Sequence, residues 1–195
     1  MTTSKNNELI KYLTKIPSKA KVRRLDKVFF AEGRRLLSET PPSLLEKILV
    51  SEDFFFGDTP ADKKLREILN TCKDVEEVSA GVFSEISDTS HSQGIAAVVR
   101  QPAYQLTDLL HGTPLLLVLE NIQDPGNLGT MVRTSLGAGA TGIVMTRDCV
   151  DIFSPKVVRA TMGAIYRMPF FIADDAGSAA LLLRGEAMFY TAVLR

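Results

Sequence analysis

From residue 114 onward the chain alternates strand-like and helix-like segments at a spacing that leaves few architectures open. LLLVLENI (115–122) is a continuous apolar run, the pattern of a parallel strand covered on both faces. After it the periodicities predict a helix over 127–138, a strand over 142–146, a helix over 155–165, a strand near 168–172, a helix over 175–184 and a strand over 188–194. Such a βα repeat calls for a parallel sheet with right-handed crossovers. In sheets of that kind ligands gather at the carboxyl ends of the strands, where loops meet helix N-termini.

The first half reads as a smaller α/β unit. A basic amphipathic helix is expected over 6–15, followed by the Lys-rich connection IPSKAKVRRLDK. VFFAEG, KILVSE, VEEVS and GIAAVVRQP read as strands, the last ended by Pro102; GRRLLSE and DKKLREILNTC read as helices. QPAYQLTDLLHGT (101–113) breaks the pattern and reads as a connector. The expected division is therefore 1–105 and 106–195. No internal repeat or low-complexity tract interrupts either half.

Charge separates the halves further. Residues 1–35 hold ten Lys/Arg against three Asp/Glu, net +7, whereas 36–113 hold six against thirteen, net −7, and 114–195 hold seven of each. A basic leading segment suits a polyanion partner or a solvated helix face. Cys72 and Cys149 are far apart, with no Cys or His at metal-ligand spacing, so neither a disulfide framework nor a metal site is expected. MTTSKNNELIKYLTK lacks the apolar core of a signal peptide, and no apolar run approaches the roughly 20 residues of a membrane span. These features point to a soluble protein of the reducing cytoplasm.

Two stretches carry chemistry. In NIQDPGNLGTMVRT (121–134) a turn follows the greasy strand; Gly126 gives backbone freedom and Asn127 is the expected N-cap of the next helix. Leu128, Met131, Val132 and Leu136 form that helix's apolar stripe, and Arg133 falls on its flank, either as a surface charge or as a group aimed at a ligand. The next loop repeats the design in DCVDIFSPKVVRATMGAIYRMPF, with Ser154 as N-cap and Pro155 at the first helical position. Val158, Met162 and Ile165 should face the core. Lys156, Arg159 and Gly163 share another face, open to an anionic or planar ligand or simply to solvent. GAGATG (137–142) has dinucleotide-fingerprint spacing but ends a helix and leads into a strand, so it is read as a helix terminus. His91 reads as a loop residue.

ENIQDPGNLGTMVRT followed by SPKVVRATMGAIYRMPF resembles the first two motifs of the SpoU (TrmH-like) branch of the SPOUT RNA methyltransferases. KVRRLDKVFFAEGRRLLSE and SQGIAAVV are similar to the ribosomal-protein-like substrate-binding domain of two-domain members. The resemblance implies a small α/β RNA-binding domain joined to a parallel-sheet SPOUT (α/β knot) domain. It also implies methyl transfer from S-adenosylmethionine to a ribose 2′-hydroxyl of structured RNA, ribosomal RNA before tRNA, by a knotted homodimer. By motif, Arg133 is the catalytic arginine and Asn127 helps to orient it; Arg159 contacts substrate or stabilises the site. Lys21, Arg23, Arg24, Arg34 and Arg35 are the expected RNA contacts. A guanidinium holds its proton to a pKa above about 12, so stabilising a developing alkoxide is an easier role for arginine than general base.

The family's third motif, a glycine-rich loop that supplies most of the cofactor pocket, has no counterpart before AMFYTAVLR. Cofactor contacts are accordingly unassigned, and the methyltransferase domain is expected to be incomplete at its C-terminus and weak or inactive by itself. The alternatives are a shortened, non-catalytic RNA-binding paralogue and, less favoured, an unrelated nucleotide-binding α/β protein. The presence of both Asn127 and Arg133 favours the enzyme.

Overall fold

The computed structural model describes residues 7–190. Three short helices, α1 (Glu8–Leu13), α2 (Lys15–Ser18) and α3 (Ala20–Asp26), lead into strand β1 (Val28–Glu32). Then come α4 (Arg34–Ser38), β2 (Leu45–Ser51), α5 (Pro60–Thr71), β3 (Val75–Val78), α6 (Ala80–Ile86) and β4 (Ile95–Arg100). The expected connection 16–27 is thus mostly helical. Its apolar residues Ile16 and Val22 pack with Ile10 and Leu13 of α1, and that tertiary burial stabilises turns too short to persist alone.

These strands form a mixed sheet in the order β1-β4-β2-β3, antiparallel except for the β2–β3 pair. β4 lies inside it and is buried along Ile95–Val99. Alternation in VFFAE divides β1 between two cores. Val28 and Phe30 face α1 and α6, with Leu13, Val82 and Phe83. Phe29 and Ala31 face the other way, into a core shared with the second half of the chain.

That second half is a parallel sheet of β5 (Leu116–Leu119), β6 (Gly142–Thr146) and β7 (Phe170–Ala173), with β6 central. Helices α7 (Pro125–Gly137), α8 (Pro155–Thr161) and α9 (Ala176–Leu182) follow the three strands in turn. β6 is fully buried, as a central parallel strand should be. β5 is not: it has a strand on one side only among the described residues, and Val118 is 38% exposed. The apolar run predicted cover on both faces; here it forms an edge. Of the strand expected over 188–194, residues 191–194 lie outside the described residues and 188–190 are not in a strand.

The two halves are joined by core. Phe29 packs on Phe153 (ring centroids 5.2 Å apart) and on Tyr166 (6.1 Å), and Phe153 in turn meets Phe170. The Thr40 and Tyr166 hydroxyls are 2.8 Å apart at the same seam, where burial pushes the phenol pKa up and keeps it neutral.

Candidate functional site

The site is built on α7 and α8, which pack closely because of Gly129. A Cβ there would lie 2.4 Å from the Ala160 Cβ and 2.8 Å from the Val157 carbonyl oxygen. The N-cap of α7 is Asp124, one turn earlier than expected: its carboxylate accepts from the Asn127 N–H at 2.7 Å, and Pro125 is the first helical residue. Asn127 is therefore inside the first turn, exposed, with its side chain unused by the cap. Asp124 wins because a carboxylate before Pro-Gly both accepts the free N–H and faces the positive end of the helix.

Arg133 is exposed on the flank of α7, and its Nη1 donates to the Met162 Sδ at 2.8 Å. It makes no hydrogen bond to Asn127 among those of the described residues. Six residues of helix separate the two by about 9 Å along the axis and about 120° around it. Met162 is where it is because α8 ends at Thr161, four residues before the expected 165. Met162 is left-handed (φ 50°) and Gly163 follows at φ 90°. Met162 is consequently 39% exposed instead of facing the core. Gly163 serves this reversal and clears Glu39, whose Cβ would lie 3.2 Å from an added Cβ. Ser154 occupies the N-cap position of α8 without capping, and its buried Oγ has no hydrogen-bond partner among the described residues. Gly139 (φ 77°) closes the last turn after α7, in line with reading GAGATG as a helix terminus.

The expected RNA-contacting cations fall into three groups. Lys21 and Arg24 are exposed on α3. Arg23, between them, is only 4% exposed. Its Nε and Nη2 donate to Asp151 Oδ2 (3.0 and 2.8 Å), and Nη1 donates to the Ile16 and Pro17 carbonyls (2.7 and 2.8 Å). Every nitrogen of its guanidinium serves the fold, so Arg23 is a tie between α3 and the β6–α8 loop, a correction to its place among the surface cations. Arg34 is likewise engaged: it pairs with Asp62, donates to the Phe55 carbonyl and stacks on Phe54, with 4.6 Å from Cζ to the ring centroid.

Arg35 and Arg159 form the third group. They come from opposite halves of the chain and converge on a cleft of about 290 Å³ at the seam, which Met162 also lines. Arg159 Nη1 donates to Asp88 Oδ2 at 2.9 Å. Arg35 is exposed, and no ion pair among the described residues engages it. The motif spacing places Arg133 and Arg159 on neighbouring helices; that Met162 and the 87–93 loop would meet them had no sequence signal.

A parallel sheet followed by a Pro-capped helix with a flank arginine, beside a mixed-sheet module supplying a second arginine to one cleft, matches known proteins along its length. Residues 114–194 match the SpoU rRNA Methylase family, and residues 7–97 match the MRM3-like substrate binding domain. Residues 114–194 are accordingly of the SpoU rRNA methylase type. The chain is 40% identical over 146 residues to human "rRNA methyltransferase 3, mitochondrial", covering 71% of this chain and 33% of that protein. It is 31% identical over 168 residues to "23S rRNA (guanosine(2553)-2′-O)-methyltransferase RlmP" of Bacillus subtilis, covering 85% of this chain and 62% of that one. An AdoMet-bound rRNA methyltransferase from Sinorhizobium meliloti superposes with a TM-score of 0.76 at 25% identity, over 95% of this chain and 68% of that chain. The chain thus spans about a third of the human relative and under two thirds of the bacterial one. Among the described residues no helix is long and apolar enough to cross a membrane.

Proposed function

We propose that this protein is an S-adenosylmethionine-dependent ribose 2′-O-methyltransferase of RNA, with ribosomal RNA as substrate. Residues 1–105 serve as the substrate RNA-binding domain and 106–195 as the SpoU-type methyltransferase domain. The observation that carries this reading is the convergence of Arg159 and Arg35 on one cleft between the two units, with Arg133 reaching Met162 in its lining.

S-adenosylmethionine would supply an electrophilic methyl group on a cationic sulfonium. The strand ends fit such a group by charge: Glu120 follows β5 and Asp148 follows β6, both exposed, and no protein group among the described residues pairs with Glu120. This chain's own work is on the ribose. The 2′-oxygen gives its proton to solvent water as it attacks the methyl carbon, whose bond to sulfur would break to leave a neutral thioether. The Arg133 guanidinium stabilises the alkoxide that develops. Its present partner, a thioether, is a weak acceptor that an oxyanion displaces readily. Arg35, Lys21 and Arg24 hold phosphates, while Arg159 can exchange Asp88 for one. Asn127, exposed in the first turn, orients Arg133 across a homodimer, since about 9 Å of helix separates the two within one chain; the unpaired Cys72 and Cys149 suit a cytoplasmic site of action.

The test is transfer of labelled methyl from S-adenosylmethionine to ribosomal RNA, followed by alkaline hydrolysis. A 2′-O-methyl leaves its phosphodiester uncut, because the 2′-oxygen can no longer attack phosphorus. Arg133→Ala should lower transfer by about 10²-fold or more, as removal of an oxyanion donor does. Arg133→Lys should keep the charge but lose the planar fork, and near-full activity in it would sink an arginine-specific role. In the protein made from its native gene, binding of RNA without any transfer would favour the non-catalytic RNA-binding paralogue.

A further inference from the structure

The seam cleft holds more than two arginines. Leu36 and Met162 supply its apolar lining, and Arg35, Arg159, His91 and Gln93 are among its polar lining. Gln93 is oriented by its own bonding: Oε1 accepts from the Arg34 N–H at 2.8 Å, so Nε2 is left as a donor with no protein partner among the described residues. The His91 Nδ1 lies 3.1 Å from the Ser90 hydroxyl, which leaves Nε2 for a ligand.

Both residues stand on a loop that is held in advance of any ligand. Glu32 Oε1 accepts from the Ser87 and Thr89 hydroxyls, each at 2.7 Å, and Oε2 accepts from the Asp88 N–H at 3.1 Å. Gly33 (φ 100°) lets the backbone pass beneath Gln93, whose Oε1 would lie 3.1 Å from an added Cβ. The charges nearly balance, Glu32 and Asp88 against Arg35 and Arg159, so the cleft is not a simple anion site. Apolar lining, polar lining and one unpaired arginine together suit a planar heterocycle that carries a phosphate.

We propose that this cleft takes one unstacked nucleotide of the RNA, next to the nucleotide whose ribose reacts. The base lies between Leu36 and Met162, Gln93 Nε2 donates to an acceptor on its edge, and Arg35 holds its phosphate. The neighbouring position follows from Met162, which both lines the cleft and accepts from Arg133. Bases within a helix are stacked and covered, so the nucleotide comes from a loop, bulge or end. Arg159 is released from Asp88 as the RNA enters. The inference rests on the RNA methyltransferase reading and adds that the two units read one nucleotide jointly.

The test uses the full chain without S-adenosylmethionine and two fluorescent RNAs, a hairpin with an eight-nucleotide unpaired loop and a blunt duplex of the same stem. Wild type should bind the hairpin more tightly. Gln93→Glu keeps the acceptor for the Arg34 N–H but turns the donor into an anion, and should weaken hairpin binding about tenfold. Arg35→Ala should weaken it and lower the salt slope by about one phosphate contact. Asp88→Asn frees Arg159 and should tighten hairpin binding about twofold to threefold, a gain that loss of a merely structural contact would not produce. Unchanged hairpin affinity in both Gln93→Glu and Arg35→Ala overturns the proposal, as does equal wild-type affinity for hairpin and duplex. Wild type that binds neither RNA overturns the RNA-acting reading itself, while methyl transfer with hairpin affinity unaltered in both variants overturns only the cleft.

Discussion

Replacing Arg23 with alanine separates a structural arginine from its exposed neighbours. The change removes four charge-assisted hydrogen bonds, two to Asp151 and two to the carbonyls of Ile16 and Pro17. It strands a carboxylate whose side chain is 25% exposed and two carbonyls under α3. Breaking a buried ion pair from one side costs about 3–5 kcal/mol, and partial access of water to Asp151 puts this case near about 3 kcal/mol. For a chain of this size each kcal/mol moves Tm by about 2–4 °C, so melting should fall by about 6–12 °C. Thermal unfolding followed by circular dichroism is the assay, with Arg24→Ala as the control. Arg24 is exposed, so its variant should melt within about 2 °C of wild type while weakening RNA binding and flattening its salt dependence. An Arg23→Ala protein that melts with wild type but binds RNA poorly would refute the reasoning and return Arg23 to the binding surface.

Gly129→Ala should destabilise despite alanine's better helix propensity. Overpacking against Ala160 and Val157 costs about 1–3 kcal/mol against about 1 kcal/mol gained, and urea midpoints equal to or above wild type would show that α7 and α8 can move apart. Asp62 accepts from the Thr59 hydroxyl and pairs with Arg34, which together hold its pKa down to about 2 despite burial. Its contribution to stability is thus fully present above pH about 4 and lost as pH falls through about 2. Asp62→Asn should flatten stability across that window in acid titrations, and an acid limb unchanged from wild type would remove Asp62 as a source of it.

Several elements were legible because their signals are local. Apolar runs bounded by turns marked β1, β2, β4 and β6, and the order of strands and helices in the second half follows from periodicity and the Pro-Gly punctuation. Arg133 on the flank of its helix also came from local spacing. What failed was local competition and burial. Asp124 and Asn127 are both good caps, and only the position of Pro125 decided between them. Arg23 and Arg24 are adjacent and chemically alike, yet α3 turns one into the seam and the other to solvent. PKVVRATMGAI reads as one continuous helix, but Gly163 allowed a reversal after Thr161 that carries Met162 to Arg133.

The sequence by itself determined most of the strands, the parallel character of the second sheet and the family motifs, because hydrophobic period and turn chemistry act over a few residues. Only the tertiary structure decided which cations remain free and where the two units meet. Arg35, Gln93 and Arg159 are separated by many residues, and their convergence depends on how Phe29, Phe153 and Tyr166 pack the seam. Burial there is set by the shape of the whole core, which no stretch of the chain specifies alone.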